Sequence, residues 1–172
     1  MEYVTAEVGS YGEMPGLSLK LTVDSQANWA HNVYLRTSSV QPEKPVTYTF
    51  SMYNRNARER SSHWCLEDAE GKKIVGMGAT SWGSADPVPL VQYVESGGYK
   101  LDRSHKLVEP GVHEFTIVYD PTTHLADYSV KGPSGVVLYS YDNVPVLSSG
   151  ISQCEISAGA GQRSYQEYFF DD

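Results

Sequence analysis

Tyr53, Arg55 and His63 are three side chains able to share a proton and a charge, and they lie close together in the chain. A tyrosine or histidine base beside an arginine is the equipment for removing a proton next to a uronate. Tyr53 ends one candidate strand and His63 starts the next, with the charged loop 55–61 between them. Arg36 could join from a third strand. This set supports a polysaccharide lyase or hydrolase. The chain has thirteen tyrosines, however, so structural and ligand-contacting roles compete with that reading.

Other catalytic patterns are missing from the residue order. There is no G-x-S-x-G, P-loop, H-E-x-x-H or C-x-x-C. A glycosidase needs two carboxylates about 5–10 Å apart, which on a strand would alternate. Glu67 and Asp68 are adjacent and so point to opposite faces, while Glu155 and Glu167 stand singly. These acids are expected on solvated strand faces. The five histidines show no metal-ligand spacing, and His113 and His124 read as ordinary positions.

Binding chemistry is better represented. Trp29 and Trp82 sit in polar loops, and loops run over the surface. An exposed indole stacks on the apolar face of a sugar ring and keeps an N–H for a hydroxyl, a gain of roughly 1–3 kcal/mol per ring. Tyr53, Asn54, Arg55, His63, Tyr93, Tyr99 and Arg103 are further candidates for a polar and aromatic rim. Trp64, inside a strand, reads as core. Glu7 in the first strand and Asp171 with Asp172 at the last would form an oxygen-rich structural Ca²⁺ site if the terminal strands pair.

The elements that must position these groups are strands. His113, Phe115, Ile117 and Tyr119 share one side of a period-two segment, and Asp120-Pro121-Thr122-Thr123 ends it. The alternation resumes at Ala126, Tyr128 and Val130. Leu17–Val23 and Val46–Asn54 alternate as cleanly. Further strands are read at Tyr3–Val8, Asn32–Thr37, Ser62–Asp68, Lys73–Met77, Leu90–Val94, Val136–Tyr141, Ile151–Ala158 and Tyr165–Phe170. The stretch from Gly97 through Asp102 to Pro110 reads as irregular, and 142–149 as a loop. About a dozen strands and no amphipathic helix predict an all-β chain, a two-sheet antiparallel sandwich of jelly-roll type.

The 172 residues suit one domain spanning 1–172. Hydrophobic content of 40% and charged content of 20% allow a real core. A net charge of −8 argues against nucleic acid and anionic membranes as partners, and no apolar run is long enough for membrane insertion. Met1-Glu2-Tyr3-Val4 carries no signal-peptide pattern. The end at Phe170-Asp171-Asp172 follows directly on an apolar run. The expectation is a module excised from a multidomain protein, secreted or at the cell surface. Cys65 and Cys154 are expected as thiols rather than a bridge.

Four stretches resemble the concanavalin A-like (laminin-G-like) superfamily, particularly modules beside bacterial polysaccharide-degrading enzymes. They are His113–Asp120, Thr123–Gly132, Gly150–Gly159 and the closing Tyr168-Phe169-Phe170-Asp171-Asp172. Gly16–Val23 before a tryptophan loop and Thr47–Ser51 are similar to carbohydrate-binding sandwich modules. The paired-acid motif of the glycosidase members is absent, as are the arginine–glutamate and glutamine–isoleucine–histidine motifs of the alginate lyases. The resemblance implies a lectin-like, non-catalytic carbohydrate-binding module, with sugar on the sheet bearing Thr47, Thr49, Ser51 and Tyr53 or near Trp29 and Trp82. A lyase or hydrolase and a protein-binding adhesion domain are the alternatives.

Overall fold

A computed structural model of the chain describes residues 3–12, 14, 16, 18–24, 31–54, 62–79, 88–93, 99–107, 111–160 and 165–171. These form thirteen strands and contain no helix. In chain order the strands are β1 (Tyr3–Gly9), β2 (Ser18–Asp24), β3 (His31–Ser38), β4 (Val46–Asn54), β5 (Ser62–Glu67), β6 (Lys73–Ala79) and β7 (Val88–Tyr93). They continue with β8 (Tyr99–Leu107), β9 (Val112–Asp120), β10 (Leu125–Lys131), β11 (Val137–Pro145), β12 (Gln153–Ala160) and β13 (Tyr165–Asp171). One sheet has seven strands in the order β1-β2-β13-β4-β9-β10-β11, the other six in the order β3-β12-β5-β6-β7-β8. Every described pairing is antiparallel.

The period-two pattern decides what is buried. On β9 the side chains of His113, Phe115, Ile117 and Tyr119 are buried, while Val112, Glu114, Thr116 and Val118 are not. The same alternation on β2, β4 and β10 places Leu21, Val23, Phe50, Met52, Ala126, Tyr128 and Val130 in one core. From the six-stranded sheet, Leu66, Val75, Met77 and Ala158 meet them. Phe50 stacks on Phe115 with ring centroids 4.9 Å apart. Cys65 and Cys154 are free thiols; Cys154 is opposite Leu66 and Cys65 opposite Glu155, so the two cysteines point to opposite faces.

Two elements differ from the sequence expectation. Residues 99–107, read as irregular, form β8, which pairs antiparallel with β7. The supposed loop at 142–149 begins with strand, because β11 runs on to Pro145. Asp127 helps to hold this extension, its Oδ1 accepting from Asn143 N at 2.7 Å.

A charged row on the outer face of the six-stranded sheet

The chain crosses from one sheet to the other between β4 and β5. Tyr53 is therefore on the seven-stranded sheet, where it stacks on Phe169 at 5.8 Å between centroids. His63 is on the six-stranded sheet, and the expected grouping of Tyr53 with His63 does not form. Sequence neighbours became sheet strangers because the intervening segment changes layers. Arg36, by contrast, does join His63, through a third residue.

That third residue is Glu155. Pairing aligns Arg36, Glu155, Cys65 and Gly76 across β3, β12, β5 and β6. A second row aligns Ser38, Gln153, Glu67 and Lys73, and a third Tyr34, Ser157, His63 and Gly78. All three rows share the face turned away from the core, because Trp64, Leu66, Val75 and Met77 take the inner one.

Glu67 and Glu155 are both 0% exposed, which overturns the expectation of solvated strand faces. Glu167 is buried too, its Oε1 held at 2.6 Å by Lys20 Nζ. The reason is charge pairing across long sequence separations. Lys73 Nζ donates to Glu155 Oε1 at 2.6 Å and also to Glu67 Oε1. Arg36 Nε and Nη2 reach Glu155 Oε2 at 2.8 and 2.6 Å, and Nε lies 3.2 Å from Glu67 Oε2. Gln153 Nε2 donates to Glu67 Oε2 at 3.0 Å. Two carboxylates and two cations leave the cluster formally neutral, the condition under which buried charge is tolerated.

The hairpin from β5 to β6 puts Lys73 in place. Asp68 Oδ1 accepts from Glu70 N and Lys72 N, each at 2.9 Å, and Gly71 takes the left-handed conformation (φ 77) that closes the turn. Gly76 then lets β6 approach β5. A Cβ there would lie 2.3 Å from Cys65 Cβ and 2.5 Å from Trp64 O.

Electrostatics set the protonation states. Burial alone would raise the Glu155 pKa, but Lys73 and Arg36 outweigh it and hold the carboxyl below its usual range. Glu155 is thus anionic and unsuited to act as a general acid. Burial, with Lys73 nearby, lowers His63 to about 4, leaving a neutral imidazole at physiological pH. Burial pushes the Cys65 thiol strongly up. His63, Cys65 and Glu155 offer ligand atoms within 4.8 Å of one another, a donor set suited to a transition metal. Lys73 already supplies the positive charge at Glu155 Oε1, and the thiol is protonated, so the trio works as part of an ion cluster.

The cluster reaches solvent at the β3 edge. Arg36 has a side chain 49% exposed, and Tyr34 is 48% exposed with the Arg36 guanidinium 5.4 Å over its ring. Between Tyr34 and His63 on the third row is Ser157, 2% exposed, whose Oγ has no hydrogen-bond partner. Sequence reasoning missed Tyr34, Glu155 and Ser157 as a group. The usable signal was Tyr34 and Arg36 two residues apart on a polar strand face.

The remaining candidates are scattered. Asn54 ends β4, opposite Tyr168. Tyr93 pairs with Tyr99 where β7 meets β8, and Arg103 lies on β8, at the far edge of the same sheet from Tyr34. Trp29, Arg55, Trp82 and Asp172 lie outside the described residues. Glu7 is on β1 and Asp171 on β13. β2 lies between their strands, Lys20 stands opposite Glu7, and Asp171 pairs with Ser51 on the other side. Asp172, the third acid of the expected Ca²⁺ site, lies outside the described residues.

No family model matches the chain, and no curated protein does. Solved structures do. A sialidase superposes with TM-score 0.58 at 14% identity, over 98% of this chain but 16% of its own. The CBM2 module of Lactobacillus casei BL23 phage J-1 evolved Dit gives 0.62 at 10% identity, covering 96% of this chain and 79% of that one. Lectin I from Ulex europaeus gives 0.57 at 10% identity, covering 98% and 90%. The fold is the concanavalin A-like sandwich. The chain spans about a sixth of the sialidase and most of the lectin.

Proposed function

We propose that this sandwich binds carbohydrate on the outer face of its six-stranded sheet, at the corner formed by Tyr34, Arg36, His63 and Ser157. The observation that carries the reading is the exposed Tyr34 ring with the half-exposed Arg36 guanidinium 5.4 Å over it, at the solvent end of the ion cluster. A sugar presents an apolar ring face to Tyr34 and hydroxyls to Arg36, and Ser157 and His63 follow in the same row. The ion cluster beneath is formally neutral and rigidly cross-linked, which favours a neutral saccharide and fixes the geometry before it arrives. The Ulex europaeus lectin of the same fold was solved with the methyl glycoside of α-L-fucose.

In this reading the module is non-catalytic and accessory to a larger secreted or surface protein. Trp29 and Trp82, in the segments before β3 and β7, remain the sequence-based candidates for further contacts. Affinity electrophoresis against a polysaccharide panel, with and without Ca²⁺, tests it. Retardation by one polymer class that is lost in Tyr34→Ala supports the corner. Retardation lost only in Trp29→Ala or Trp82→Ala moves the site to the loops. A polymer that shortens during the run favours the lyase or hydrolase, and no retardation by any polymer refutes sugar binding.

A further inference from the structure

The ion cluster on the outer face holds a cation among three metal-ligating side chains, and that cation is a side chain able to leave. His63 and Cys65 are two residues apart on β5, so both project from the same face. Glu155 is opposite Cys65 on β12. Its Oε1 is the hub, with His63 Nε2 3.8 Å away and Cys65 Sγ 4.0 Å away. Lys73 Nζ sits 2.6 Å from the same oxygen, and its charge acts on all three donors.

These distances come near what a metal requires. A zinc-sized ion bonds sulfur at about 2.3 Å and nitrogen or oxygen at about 2.0–2.2 Å, so its tetrahedral ligands stand roughly 3.4–3.6 Å apart. The observed pairs are wider by about 0.4 Å, which small side-chain rotations close. Sulfur, imidazole and a single carboxylate suit the zinc class of ions, whereas calcium and magnesium take oxygen. Arg36 orients the carboxylate. Its Nε and Nη2 hold Glu155 Oε2 at 2.8 and 2.6 Å, which leaves Oε1 to His63 and Cys65.

Charge balance permits an exchange. With Lys73 in place, Lys73 and Arg36 balance Glu67 and Glu155, and the Cys65 thiol is neutral. A divalent ion in the ammonium's position makes three positive charges with Arg36. Glu67, Glu155 and a Cys65 thiolate make three negative ones. The buried cluster is neutral in both states, as burial demands. Lys73 also has a way out. Its side chain is 19% exposed and follows Lys72, 60% exposed, from the hairpin turn.

We infer that His63, Cys65 and Glu155 bind a thiophilic divalent ion of the zinc class in exchange for the Lys73 ammonium. The metal–sulfur bond forms as the Cys65 S–H proton goes to water. Lys73 keeps its proton and turns to solvent.

The test titrates cobalt(II) into the whole chain and reads thiolate-to-cobalt absorption in the near ultraviolet. The expected result is a band that saturates at one equivalent, with one proton released, and that zinc but not millimolar calcium bleaches. Lys73→Met should bind at least about tenfold more tightly, because the competing ammonium is gone. Cys65→Ser should lose the band. Cys154→Ser should keep it, which tests the assignment without touching the buried thiol. No thiolate band in the parent at millimolar cobalt would overturn the inference. So would a band that Cys154→Ser removes or that Cys65→Ser retains. Binding in Lys73→Met alone would overturn the exchange with lysine.

Discussion

Replacing Lys73 by Met removes one cation from between two fully buried carboxylates. In the parent, Lys73 Nζ donates to Glu155 Oε1 at 2.6 Å and to Glu67 Oε1 as well. In the variant Glu67 keeps Gln153 and the edge of Arg36, and Glu155 keeps Arg36. Removing one partner of a buried pair costs about 3–5 kcal/mol. For a chain of 172 residues that corresponds to a Tm lower by roughly 8–14 °C. The pH dependence carries a sign. In the parent the Glu155 pKa is depressed, so its contribution is present above the unfolded value and lost as pH falls through the folded one. In the variant only Arg36 still opposes burial, so the Glu155 carboxyl is less depressed and less stability is lost as pH falls. Thermal unfolding followed by circular dichroism should therefore show a Tm gap that narrows from pH 7 to pH 4. A Tm loss below about 2 °C, or a gap that widens on acidification, would refute the charge-pair account.

Gly76→Ala forces a methyl against Cys65 Cβ and Trp64 O; a loss of about 3 kcal/mol is expected as a lower urea midpoint at unchanged slope. His63 is lowered to about 4, so the unfolded chain binds its proton first as pH falls below the ordinary 6.5. The parent should lose up to about 3 kcal/mol on this account between pH 7 and pH 4, a slope that His63→Gln flattens in pH-resolved urea titrations. Cys65 is buried with its pKa raised, and Cys154 is half-buried with its pKa raised to about 11, again by burial. Ellman's reagent at pH 8 should find both thiols slow in the folded protein and both reactive in guanidinium.

Local pattern carried most of the fold. β9 is legible residue by residue because each buried ring alternates with a polar or smaller neighbour, and β4 was bounded correctly by the proline turn before it. β8 was not legible, because YKLDRSHKL carries too few apolar residues to show a period of two. The site was harder still. Arg36 and Glu155 are 119 positions apart, and nothing near either residue announces the other. Glu155 looked solvated because its own strand supplies no cation. Tyr53 and His63 misled for the opposite reason, since proximity in the chain stood in for proximity in space. Strand alternation is written within each segment, whereas layer assignment and strand order arise from the whole topology.

The order of the strands also dictates when the molecule can exist. β12 lies between β3 and β5, and β13 lies between β2 and β4. Each sheet is therefore divided until two segments late in the chain arrive to join its parts. At a synthesis rate of roughly 5–20 residues per second, on the order of ten seconds separate Arg36 from Glu155. Throughout that interval the β1–β2 hairpin and β3 have unpaired edges, and the carboxylate that Arg36 will hold has not been made. Folding of this chain is expected to be a late, single closure rather than a stepwise growth.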